Sequence, residues 1–133
     1  MRNDLHIVIT NETFVGLEAA SVASHIHCCA SPGTDAPVSV NFVGAGFPIG
    51  SVSGTFVHTF DLTTDLAGIS LSDFLNGLFS RQAYVDIHDA NFPGGEIRGQ
   101  LIEQVSQAPE PETRALLGVG LSGLWMRRRR RNS

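Results

Sequence analysis

Residues 84–101, YVDIHDANFPGGEIRGQL, constrain the fold more than any other stretch of the chain. Ala83, Val85 and Ile87 alternate with Tyr84, Asp86 and His88. After seven residues Ile97, Gly99 and Leu101 alternate with Glu96, Arg98 and Gln100. A period of two is the pattern of strands with one buried and one polar face. Between them stand Phe92-Pro93-Gly94-Gly95. Proline cannot donate to a ladder and glycine permits φ > 0, so the chain turns here. The stretch therefore reads as a β-hairpin whose connection is longer than the commonest hairpin loops. Gly94 and Gly95 are the loop positions expected to tolerate substitution least.

The rest of the chain extends this β pattern. Alternation predicts further strands over residues 5–10, 21–27, 38–43 and 52–60, with turns at glycine and proline between them. One segment breaks the period. Leu71, Phe74, Leu75, Leu78 and Phe79 fall at i, i+3, i+4, i+7 and i+8, the apolar stripe of a helix. Ser70 is placed to cap it, and Asp73 lies near the positive end of its dipole. A chain of 133 residues with 42% hydrophobic residues, 14 glycines and 6 prolines suits one turn-rich β domain and a tail. The expected fold is an all-β, antiparallel, Greek-key-like sandwich with one short helix, followed by a short C-terminal membrane helix.

Charge excludes one class of partner. The net charge of −4 is unevenly spread: before Pro109, three arginines face eleven acids, a balance of −8. There is no lysine. A domain this acidic does not bind nucleic acid.

Residues with chemistry are few. His25 and His27 share one side of a strand, and His88 with Asp86 shares the polar side of another. If those strands are neighbours in one sheet, three imidazoles and a carboxylate converge. Three histidines form a known zinc or copper arrangement. The alternative, preferred from the residues alone, is a hydrogen-bonded polar group that knits two strands, with His58 elsewhere. Cys28 and Cys29 are adjacent, so an ordinary structural disulfide is disfavoured and free thiols are expected. No nucleophile elbow, phosphate loop or dinucleotide fingerprint is present. No carboxylate pair has a spacing suited to acid–base work. The expected reading is non-catalytic.

The tail carries a different signal. Pro109-Glu110-Pro111 follows a short polar linker. Residues 115–126 are apolar apart from small Gly and Ser122, and Arg127, Arg128, Arg129, Arg130 and Arg131 follow. The apolar run is short for a span of about 20 residues. Trp125 sits at the interfacial position, and the arginines would stay cytoplasmic.

Two resemblances follow. AYVDIHDANFPGGEIRGQL, with Ala23-Ser24-His25-Ile26-His27-Cys28, Gly33 and Pro37-Val38 upstream, resembles the CHRD domain, the module named after the repeats of chordin. The likeness covers residues 4–103. Such proteins begin with a signal peptide and one or two strands that would precede Leu5, so it implies a truncated N-terminus. Residues 104–112 then form a linker with the Pro-Glu-Pro triplet, and residues 113–131 a sorting helix with its arginine cluster. This tail resembles the PEP-CTERM sorting signal of Gram-negative bacteria, with Ala108 where the family usually has valine. That implies passage through the inner membrane by residues 115–126, processing by an exosortase near the triplet, and delivery to the cell surface or exopolysaccharide matrix. A structural or binding role there, with no cofactor, is the expected function. The alternative is a copper- or zinc-binding sandwich on His25, His27 and His88. The His-x-His spacing and the fold class also resemble copper–zinc superoxide dismutase, but no bridging histidine, full zinc set or active-site arginine can be assigned.

Overall fold

A computed structural model describes residues 7–102 and 127–128. Its strands are β1 (Ile7–Phe14), β2 (Ser21–His27), β3 (Val38–Asn41), β4 (Gly54–Asp61), β5 (Tyr84–Asp89), β6 (Ile97–Gln100) and the two-residue β7 (Arg127–Arg128). Two helices, α1 (Leu62–Asp65) and α2 (Leu71–Phe79), lie between β4 and β5. The strands form two antiparallel sheets, one ordered β1-β4 and the other β3-β2-β5-β6-β7.

The alternation explains how the sheets pack. On β4, Phe56 and Phe60 turn inward while Val57 is 63% exposed. On β2 and β5, Ile26, Val85 and Ile87 turn inward from the other sheet. Phe42 lies between the layers, with ring centroids 4.9 Å from Phe56 and 5.2 Å from Phe60. This is the shared core of a β-sandwich. The helix α2 spans the residues that the stripe predicts, and the Ser70 side chain accepts from Asp73 N at its start. It buries Phe74 and Leu78 at the core.

Three expectations change. The strand predicted over residues 5–10 runs on to Phe14 and pairs with β4 along its full length. The polar side of β5 is not solvated: Tyr84 is 2% and Asp86 5% exposed. That strand is central, and residues 34–36 and 93–95 fold over its outer face. Cys28 and Cys29 are not free thiols but are bonded to each other. Their sulfurs pack on Gly77 of α2, where any Cβ would overlap them.

No helix among the described residues is long and apolar enough to cross a membrane. The predicted sorting helix lies outside the described residues except for Arg127 and Arg128, which are extended and pair with β6. Pro109, Glu110 and Pro111, and Arg129, Arg130 and Arg131, also lie outside them.

Candidate metal centre

Register assembles the site. The β2–β5 pairing sets His25 opposite Asp86 and His27 opposite Tyr84, with His88 opposite Ala23. The β5–β6 pairing sets Arg98 on the other flank of Asp86. Cross-strand partners point to the same face, so these side chains gather on the outer side of the larger sheet. His25, His27, Asp86 and His88 each present one ligating atom, all within 4.8 Å of one another. His58 stays in the other sheet, between Phe56 and Phe60.

The distances within the group are short. Asp86 Oδ1 lies 3.0 Å from His27 Nε2, 3.0 Å from His88 Nε2 and 3.7 Å from His25 Nδ1. His25 Nδ1 and His88 Nε2 are 3.1 Å apart. Donors bound at the usual zinc–nitrogen length in a tetrahedron stand about 3.3–3.5 Å from each other. These four separations lie near that spacing, and no pair of the donor atoms exceeds 4.8 Å, so small side-chain shifts would bring all four onto one ion.

Backbone carbonyls fix which nitrogens face inward. His27 Nδ1 donates to Ala36 O at 2.8 Å, and His88 Nδ1 donates to Pro93 O at 2.8 Å. A carbonyl only accepts, so both Nδ1 atoms carry protons. In the neutral rings, both Nε2 atoms then present lone pairs to Asp86 Oδ1. Lone pairs facing a carboxylate oxygen at 3.0 Å repel unless a cation stands between them. A proton can meet that need: the His88 imidazole is held above its ordinary range, chiefly by the Asp86 hydrogen bond. A metal ion can meet it for all four groups at once. Burial pushes the Asp86 carboxyl up, but the three imidazoles outweigh it and hold the group well below the usual carboxylate range.

The surroundings brace the ligands. The Tyr84 ring stacks on His27 with centroids 4.8 Å apart and planes 3° from parallel. The Arg98 guanidinium sits 3.3 Å from the centre of the Tyr84 ring on β5. Arg98 is tied down by Thr34 O at 2.7 Å and by Asp35 Oδ1 at 3.3 Å. Gly95 adopts φ +100°, and a Cβ there would stand 3.1 Å from Asp86 Oδ2. Gly94 has no such backbone conformation.

Two acidic features escaped the sequence reading. Asp89 and Glu96 bracket the hairpin loop. Asp89 accepts from Asn91 N, Phe92 N and Ala19 N, and Glu96 accepts from Glu18 N. Burial first, and Asp89 second, push the Glu96 carboxyl up to about 7. The Asp-x-Asn-Phe start of the loop is a signal for the Asp89 turn, since aspartate caps its own following amides. Glu12 is the other feature. It is 1% exposed on β1, and neither carboxylate oxygen has a hydrogen-bond partner among the described residues. Burial, with Asp86 second, pushes it up to about 8. The register sets it opposite Phe56 of β4, a pairing that no local pattern in β1 announces.

An antiparallel sandwich with a histidine–aspartate face is the class that fold and site define. The CHRD domain matches residues 2–101, and a PEP-CTERM protein-sorting motif matches residues 107–131. The chain belongs to the CHRD domain family and carries a sorting signal that directs it through the membrane toward the cell surface. That signal implies processing by exosortase-type machinery. No curated protein and no solved structure shows significant similarity to the chain.

Proposed function

We propose that the chain is a non-catalytic CHRD module, delivered to the cell surface, that binds one divalent transition-metal ion through His25, His27, Asp86 and His88. The observation that carries this reading is the inward pair of Nε2 lone pairs, fixed by the Ala36 and Pro93 carbonyls and aimed at one carboxylate oxygen. Three imidazole nitrogens and a carboxylate suit zinc or copper(II), and the set lacks the sulfur that would favour copper(I). Four protein donors complete a tetrahedral shell, as in structural rather than catalytic zinc sites. Arg98, Tyr84 and the two carbonyls supply the outer contacts that orient ligands of this kind.

Elemental analysis of the purified chain after dialysis against zinc or copper tests it. One ion per chain is expected, falling to none in the His27→Ala, His88→Ala double variant. Absence of stoichiometric metal in the folded protein would leave the cluster as a hydrogen-bonded brace. Export has its own readout. Mass spectrometry of surface material should find a C-terminus near Pro111, without the arginines. Intact chains ending at Ser133 in cells that have the exosortase would contradict sorting.

A further inference from the structure

The metal centre does not lie under a closed surface. A cavity of about 200 Å³ is lined by His27, Asp86 and His88 of the cluster. Tyr84, Arg98 and Gly95 line it as well. Glycine at 95 leaves that side of the cavity without a side chain, and a Cβ there would press on Asp86. An ion at the four donors therefore faces open space large enough for several non-hydrogen atoms.

The charges around that space favour an anion. With neutral imidazoles, a divalent ion and Arg98 contribute three positive charges, and Asp86 and Asp35 contribute two negative ones. Asp35 is the weaker screen, because its side chain is 76% exposed while that of Arg98 is 13% exposed. Thr34 O and Asp35 engage two of the five N–H donors of the guanidinium. A planar guanidinium pairs best with groups that present two oxygens, such as carboxylate or phosphate.

We propose that the cavity takes a small oxyanion, a free carboxylate or phosphate, held between the bound ion and Arg98. The anion enters as a fifth ligand, expanding the four-donor shell on the side that the cavity leaves open. No bond within the anion breaks, so the module remains a binder. This inference rests on the metal reading, and its test separates the two.

The full chain is loaded with cobalt(II), whose visible bands report coordination number, and titrated separately with acetate and with inorganic phosphate. A saturable change in the bands is expected with at least one of them, and the one that acts names the oxyanion. Arg98→Gln should weaken that binding at least tenfold. Asp35→Asn should tighten it severalfold. Bands that neither anion moves overturn the proposal while leaving the metal site standing. An anion response equal in all three proteins assigns the anion to the ion alone and also overturns it. If Arg98→Gln fails to fold or load, Asp35→Asn decides: unchanged affinity there overturns the proposal. Absence of cobalt bands in the wild-type chain before any anion is added marks failure of the metal reading itself.

Discussion

Asp86 and Glu12 are both buried carboxyl groups, one on the outer face of the larger sheet and one between the sheets. Their surroundings treat them in opposite ways. Three imidazoles hold Asp86 ionised against its burial. Among the described residues Glu12 has no hydrogen-bond partner for either oxygen, and burial keeps it protonated near neutral pH. Burial alone therefore does not decide the charge of an acid; what faces its oxygens does. Asp86 itself adds to the difference, since its negative charge is the second cause that keeps Glu12 neutral.

The largest break in this contrast comes from removing Asp86. Asp86→Ala leaves His25, His27 and His88 crowded together without their anion. Truncating one partner of a buried charged group destabilises by about 3–5 kcal/mol. A lower urea midpoint with an unchanged slope is the expected result. A loss below 1 kcal/mol would mean that the carboxylate does not hold the cluster together.

Glu12 tests the other side of the contrast. Burial pushes its pKa up to about 8 in the folded chain from the ordinary 4.5. Between those values the unfolded chain has released the proton and the folded chain still holds it. Stability from this group therefore falls as pH rises, by about 3 kcal/mol from pH 5 to pH 8, and levels off above. In Glu12→Gln that part of the pH dependence should vanish. Chemical denaturation of both proteins across this range measures it, and parallel curves would show that Glu12 titrates normally.

Gly95 sharpens the picture of how Asp86 is enclosed. At φ +100°, with Asp86 Oδ2 3.1 Å from any added Cβ, Gly95→Val meets both backbone strain and a close carboxylate. A loss of about 1–2 kcal/mol is expected. Gly94→Val, lacking the positive φ, should lose clearly less. Equal melting temperatures for the two variants would remove the distinction between these adjacent glycines.

Much of this was legible from spacing. Alternation in residues 84–88 and 21–27 placed His25, His27, Asp86 and His88 on strand faces, because side-chain direction in a strand is a local property. The helix stripe and its Ser70 cap were local in the same way. The closeness of the two strands was only a condition in the sequence, and the β2–β5 pairing meets it. What spacing could not carry depends on contacts between distant segments. The carbonyls of Ala36 and Pro93 set the ring tautomers, yet any residue supplies a carbonyl, so no side chain announces it. Arg98 over Tyr84 needed the β5–β6 register and the position of residues 34–35. The Cys28–Cys29 bond was disfavoured from adjacency alone, and the enclosure of both sulfurs against Gly77 was invisible until α2 was in place.

The smallest expected effect belongs to His58, and it separates a histidine of the core from those of the site. His58 lies on β4 with its ring 4.5 Å from Phe60 and 6.0 Å from Phe56 by centroids. It is half-buried there, and the register sets it opposite Thr10 on β1. None of the four clustered ligand atoms comes from it. Replacing it with phenylalanine keeps an aromatic ring of similar size against Phe56 and Phe60, so stability should shift by less than about 1 kcal/mol. Metal stoichiometry should stay at the wild-type value, and affinity should change by less than about twofold, since an imidazole in the other sheet supplies no donor to this ion. Loss of metal in His58→Phe would mean that the ion is held from between the sheets, on the side of Glu12, and not on the outer face around Asp86.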